Sequence, residues 1–299
     1  MNDAVQQLIA RAAALLDRLE HLLPQRMEPP DWQASIAFRW RKRHGRGAIA
    51  VVEHVHDIAL ADLRGIDRQK ELVEQNTRQF VAGVPANNVL LTGARGTGKS
   101  SLVKALLNKY APQGLRVIEV EKADLIDLPE IVDLIAARSE RFIVYCDDLS
   151  FEADEPGYKA LKVVLDGSIA AASENCLIYA TSNRRHLMPE SMADNLDARR
   201  VGDEIHPGET VEEKVSLSER FGIWVSFYPF DQDEYLDIVG QWLRHFEVAD
   251  ADSGAVRQAA LQWALQRGSR SGRVAWQFAR DYAGRAASAD TGRARSRRK

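Results

Sequence analysis

Residues 87–110 read NNVLLTGARGTGKSSLVKALLNKY, and this stretch decides the fold. Its first part, Asn87 to Leu91, is a short apolar run of the kind buried on both faces of a parallel sheet. Its last part, Ser100 to Tyr110, carries apolar residues at helical spacing. Between them GARGTGKS, Gly93 to Ser100, fits the pattern G-x-x-x-x-G-K-[ST]. In such a loop the glycines let backbone N–H groups curl around phosphate, and the N-terminus of the following helix adds its dipole. Gly93, Ala94, Arg95, Gly96, Thr97, Gly98, Lys99, Ser100 and Ser101 are therefore the candidate phosphate-binding residues. Lys99 is spaced to reach the β- and γ-phosphates of a nucleotide, and the Ser100 hydroxyl to ligate Mg²⁺.

Outward from this stretch, strand and helix alternate. DRQKELVEQNTRQF before it predicts a helix from Asp67 to Phe80. After it come LRVIEV, LPEIVDLIAARS, FIVYC, YKALKVVLDGSIA, CLIYATS, VEEKVSLSERF and IWVSFY. Strands separated by helices predict a doubly wound five-stranded parallel sheet with helices on both faces. Past Pro229 the strands stop, and DQDEYLDIVGQWLRHF, AVRQAALQWALQRG and SGRVAWQFARDYAG predict a helical lid subdomain.

FIVYC ends in two adjacent carboxylates, Asp147 and Asp148. The carboxyl ends of parallel strands line the ligand crevice, which would set both acids beside the phosphate loop. Asp147 would hold the hydration shell of the magnesium ion, and Asp148 would face the γ-phosphate as candidate base for water. CLIYATS leads into Asn183 at the same sheet edge, where an amide can orient that water. Arg220 precedes the last strand at the domain rim and suits the γ-phosphate of a neighbouring subunit better than its own. Arg273 opens the last helical pattern and is the first choice for a lid contact to the γ-phosphate, with Arg270 second.

The remaining features bound the function without deciding it. The chain has 299 residues, of which 45% are hydrophobic and 28% charged, enough for a large core. No window approaches the roughly 18 consecutive apolar residues of a membrane span, and no leader pattern opens the chain, so a cytoplasmic location without membrane contact is expected. Cys146 and Cys176 lie in strand-like runs, at the end of one and the start of the other, which argues against a disulfide. The net charge is −3, yet the last 15 residues carry six basic groups and one acid, leaving the body at −8. So acidic a body does not advertise a nucleic-acid surface, while the tail would bind any polyanion.

Residues 2–23 place Val5, Leu8, Ile9, Ala12, Leu15, Leu16, Leu19, Leu22 and Leu23 on one helical face that needs a partner surface. Pro24 to Arg46, with the basic run RWRKRHGR, reads as a connector, and AIAVVEHVHDIAL after it as a strand. His54 and His56 share a face there without a third ligand nearby, which argues against zinc. The expected organisation is an N-terminal helix and linker over 1–45, a nucleotide-binding domain over 46–229, a helical lid over 230–284 and a basic disordered tail over 285–299.

Phosphate loop, paired acids, strand-end Asn, Arg-Phe and lid arginine, in this order, resemble an AAA+ ATPase. The resemblance is closer still to a bacterial AAA+ family catalogued only as a domain of unknown function. It is carried by DLRGIDRQK, PANNVLLTGARGTGKSSLVKALL, DDLSFE, YKALKVVLDGS, YATSNRRHLMPE and LSERFG, and covers roughly Trp32 to Gly284. It implies that Lys99 and Ser100 are the Walker A residues, Asp147 and Asp148 the Walker B pair, Asn183 sensor 1, Arg220 the arginine finger and Arg273 sensor 2. The segment around Leu63, Gly65 and Ile66 would cup the adenine. It further implies ATP and Mg²⁺ as ligands and a homo-oligomeric ring, a hexamer among the candidates, acting on a client protein or nucleic acid.

One departure stands out: AAA+ proteins generally carry Asp-Glu where this chain has Asp147-Asp148. The shorter acid would polarise water through a second water or slowly. That leaves an ATP-gated binding module with slow or vestigial hydrolysis as the alternative to an ATP-hydrolysing motor. A small-molecule kinase is the third class, disfavoured by the separate C-terminal helices and by Arg220.

Overall fold

The structure, a computed structural model, describes residues 30–43, 46–151, 155–166, 174–184, 187, 199–201, 204–206 and 219–296, with the isolated positions 5, 11 and 12. The amphipathic pattern over 2–23 and most of the helix expected over 211–221 lie outside the described residues.

Seven strands form one sheet: β1 (Ala37–Arg43), β2 (Arg46–Val51), β3 (Val89–Gly93), β4 (Leu115–Glu119), β5 (Arg141–Cys146), β6 (Cys176–Ser182) and β9 (Ile223–Phe227), in the order β2-β1-β4-β5-β6-β3-β9. Two short strands, β7 (Arg199–Val201) and β8 (Glu204–His206), pair separately as an antiparallel ribbon. Pairing from β1 to β9 is parallel throughout, and only β2 runs antiparallel. The five expected strands are β3, β4, β5, β6 and β9.

Alternate residues of these strands face opposite sides. Leu91, Ile143, Tyr145 and Tyr179 pack with α1 (Asp67–Val81) and α2 (Lys99–Tyr110), whereas Leu90, Phe142, Val144 and Ile178 pack with α3 (Leu128–Ile135) and α4 (Pro156–Asp166). The first of these cores continues into the C-terminal helices α5 (Gln232–His245), α6 (Gly254–Arg267) and α7 (Gly272–Ser296), through Tyr235, Val239, Ala260 and Phe278. Helix α5 begins with a reciprocal cap, Asp231 accepting from Glu234 N at 2.8 Å and Glu234 Oε2 accepting from Asp231 N at 2.9 Å. Phe142 pairs with Cys176 and Cys146 with Ala180, which puts the two cysteines four strand positions apart, and both are free thiols.

Two expectations are corrected. The run read as a connector is largely strand β1, because its aromatics and its arginines divide between the two faces. Phe38 and Trp40 are buried on one face; on the other, Arg39 donates to Glu119 at 2.5 and 2.8 Å. The Trp40 indole donates to Asp127 at 2.9 Å and Lys42 pairs with the same carboxylate at 2.8 Å. The tail read as disordered from residue 285 instead continues α7 to Ser296. Its alanines and arginines are strong helix formers, and Arg285 pairs with Asp281 one turn back.

Gly47 on β2 lies under the Trp40 ring, and a Cβ there would sit 1.8 Å from the indole Cζ2. Gly47→Ala is expected to displace the indole and destabilise the protein by about 1–3 kcal/mol, the usual range for overpacking a filled site. Urea denaturation checks this, and an unchanged midpoint would show that the hairpin yields freely.

Candidate functional site

The chain passes from β3 to α2 across residues 94–98. Gly93, Gly96 and Gly98 take φ of 126°, 75° and 99°, which side chains rarely adopt. A Cβ on Gly93 would lie 1.9 Å from the Phe227 carbonyl oxygen, so no other residue fits there while β3 pairs with β9. Thr97 is buried and its hydroxyl donates to the Ala94 carbonyl at 2.8 Å, pinning the turn. Ser101 is half-buried in the first turns of α2.

Lys99 turns back into this loop. Its ammonium donates to the carbonyls of Gly93 and Ala94, both at 2.7 Å, and to Asn183 Oδ1 at 3.2 Å. Burial lowers its pKa, while the charges of Asp147 and Asp148 oppose that shift.

Asp147 follows β5. Its Oδ1 accepts three hydroxyls, from Ser100 at 2.8 Å, Tyr145 at 2.7 Å and Thr181 at 2.5 Å. Burial pushes the carboxyl up, but these donors, Thr181 foremost, outweigh it and leave the pKa lowered. Asp147 is therefore an ionised carboxylate near neutral pH.

Asp148 takes the left-handed conformation, φ 52°, with its backbone N–H donating to Thr181 Oγ1 at 2.9 Å. Its side chain, 54% exposed, accepts from Asn183 Nδ2 and lies 3.5 Å from the Arg95 guanidinium, itself 75% exposed. Asn183 thus bridges Lys99 and Asp148.

The first residues of α7 lean on the loop: Gly272 N donates to the Gly96 carbonyl at 2.8 Å, and a Cβ on Gly96 would lie 3.3 Å from Arg273 Cβ. Of the two lid arginines Arg273 is the one placed at the loop, while Arg270 precedes the contact. On the other flank Ile66 is buried, with its Cδ1 3.3 Å from a Cβ on Gly98. Gly65, at φ 71°, lies under Phe230, 3.0 Å from a Cβ there, and Leu63 accepts from Lys70 at 2.7 Å. This segment is tied to α5 by Arg64 and Asp62, which hydrogen bond Gln241 at 3.1 and 3.0 Å.

Arg220 is not brought to this site. It donates from Nε to Asp166 at 2.5 Å. It also lies just before Ile223, which pairs with Val89, whereas the loop starts at Gly93, paired with Phe227. Four residues of strand, roughly 13 Å at 3.3 Å each, separate the two ends of the sheet.

The sequence alone does not single out Tyr145, Thr181 and Ser271. Alternation puts Tyr145 on the face of Asp147, and the pairing of Cys146 with Ala180 places Thr181 beside it; that register is not written in either strand alone. Ser271, buried against Gly96, caps α7 by accepting from Val274 N at 3.3 Å.

The residues present fit a nucleoside triphosphate with magnesium. The glycine cradle would be filled by any Cβ, the lysine ammonium sits in its mouth, and hydroxyl and carboxylate oxygens are the donors that hard cation prefers. The fold is that of the P-loop NTPases in its AAA+ form. The chain belongs to the family described as a protein of unknown function (DUF815), whose model matches residues 33–286. No curated protein gives a match. Among solved structures, a mutant of Thermotoga maritima RuvB reaches a TM-score of 0.50 at 13% identity, over 74% of this chain and 63% of that one. A replication initiator DnaA bound to AMPPCP and single-stranded DNA reaches 0.46 at 17% identity, over 71% and 60%. An E. coli HORMA:CdnC:Trip13 complex gives 0.46 at 11%, over 74% and 90%. These likenesses concern the fold alone, and the chain spans less than two thirds of the RuvB length.

Lys99→Ala removes an ammonium with three acceptors. Losing charge-assisted hydrogen bonds of about 1.5–3 kcal/mol corresponds to roughly ten- to hundredfold weaker binding of a fluorescent ATP analogue, with the fold retained by circular dichroism. Equal affinity in the variant would exclude Lys99 from the site.

Proposed function

We propose that the chain is an AAA+ ATPase that binds and hydrolyses Mg-ATP at subunit interfaces of a homo-oligomer and uses the cycle to remodel a macromolecular client. The observation that carries this reading is the convergence of Lys99, Ser100, Asp147, Asp148 and Asn183 within one hydrogen-bonded cluster at the loop.

In this reading the loop amides and Lys99 hold the phosphates, Ser100 and Asp147 hold magnesium, and Gly65 and Ile66 flank the base. Magnesium, when bound, neutralises phosphate charge. Asp148 accepts the proton of an attacking water that Asn183 orients. Arg273, in the first turn of α7, supports the γ-phosphate in the same chain, and its closeness to Gly96 favours it over Arg270. Arg220, at the opposite end of the sheet from its own loop, is left to serve a neighbour. Such an arginine supplied in trans is worth about 10³ to 10⁵ in rate, and it requires an assembly, for which a ring is the natural closed form.

A second reading is supported by Asp148 itself, one methylene shorter than a glutamate and engaged by Arg95 and Asn183. There the acids hold magnesium and sense nucleotide, and the protein is an ATP-gated switch with slow turnover.

Turnover per subunit is expected to rise with protein concentration, and Asp148→Asn or Arg220→Ala to lower it at least about a hundredfold. Mixing Lys99→Ala, which keeps its Arg220, with Arg220→Ala, which keeps its loop, should restore activity in part. Flat turnover across the assembly range would end the shared-site reading. Magnesium-dependent ATP binding without turnover would select the switch.

A further inference from the structure

Three hydroxyls converge on a single oxygen, Oδ1 of Asp147, from three different elements: Ser100 on α2, Tyr145 on β5 and Thr181 on β6. A carboxylate oxygen has two lone pairs, so three donors saturate it and Oδ2 is the atom left for a cation or its water. Thr181 does a second thing. Its oxygen accepts from the backbone N–H of Asp148 at 2.9 Å while its proton goes to Asp147, so one hydroxyl joins the two acids. Leu149 N donates to the Thr181 carbonyl at 2.6 Å, anchoring the same turn to β6. Tyr145 and Thr181 are both buried, and Tyr145 has its ring in the core shared with α2, so neither side chain has room to turn away.

We infer that Tyr145 and Thr181 are positioning residues for the magnesium site: they fix the direction of Asp147 Oδ2, and Thr181 in addition holds Asp148 in its left-handed conformation. Neither touches the nucleotide; both act through the acids. Partners of this kind are worth about 10- to 100-fold in metal affinity elsewhere. The inference rests on the reading of Asp147 as the magnesium acid.

The test is the binding of a fluorescent, non-hydrolysed ATP analogue, first in EDTA and then titrated with MgCl₂, by wild type, Tyr145→Phe, Thr181→Val and Thr181→Ser. Tyr145→Phe deletes one oxygen from a buried ring, and Thr181→Val keeps the side-chain shape. The expected result is metal-free affinities within twofold of one another, a magnesium midpoint raised about 10- to 100-fold in the Phe and Val variants, and a near wild-type midpoint in Thr181→Ser. Tyr145→Phe stands as the measurement should Thr181→Val not fold. Wild-type midpoints in the Phe and Val variants would overturn the inference, as would a loss of metal-free affinity as large as the loss with magnesium, which marks a merely structural role. A wild type that binds equally in EDTA and in magnesium would overturn the reading of Asp147 as well, and with it both proposals.

Discussion

The phosphate loop, the paired acids and the amide of the candidate site are delivered by the register of three neighbouring parallel strands. Thr92 of β3 pairs with Ser182 and Cys146 of β5 with Ala180, so β3 and β6 end within one residue of each other and β5 ends two residues before β6. Each strand then releases its next residues at the same edge: the loop from Ala94 after β3, Asp147 and Asp148 after β5, Asn183 after β6. A slip of one residue would turn Asp147 to the other face of the sheet and break its contacts with Ser100 and Thr181. The apolar runs that hold the register are buried on both sides, which makes a slip costly. Chemistry at the edge is thus fixed by hydrophobic packing along the whole length of the strands.

Within that frame the site sets opposite charges at the sheet edge. Lys99 is buried, whereas Asp147 reaches the surface, and a buried ion without partners would lose several kcal/mol. Each instead has its own set: two carbonyls and an amide oxygen for the ammonium, three hydroxyls for the carboxylate. Asn183 and Asp148 complete the chain of contacts between the two sets. Arriving phosphate would exchange with the carbonyls for the ammonium, since the loop carbonyls are neutral acceptors and the phosphate is charged.

The C-terminal helices are joined to this cluster by a backbone hydrogen bond and by the apolar core. The hydrogen bond from Gly272 to Gly96 joins the start of α7 to the phosphate loop, and the apolar core beneath it runs without a break from β3 into α5, α6 and α7. The segment around Gly65 is tied to the same helices through Gln241 on α5.

The parts that rest on local rules are legible in the order of the residues. The strand, glycine loop and helix of residues 87–110, the paired acids, Asn183 and the three C-terminal helices follow from spacing, backbone freedom and periodicity. Tertiary structure alone decided the rest. RWRKRHGR reads as solvated connector because its charges dominate the count, and becomes strand β1 only when Glu119 and Asp127 are present to receive Arg39, Lys42 and the Trp40 indole. The residues after Arg285 lack an apolar face, so continuing α7 depends on a helix already nucleated upstream. Tyr145 and Thr181 became visible as partners of Asp147 only through the pairing of β5 with β6, because hydrogen bonds between strands depend on which residues lie opposite, and no single strand encodes its neighbour's register.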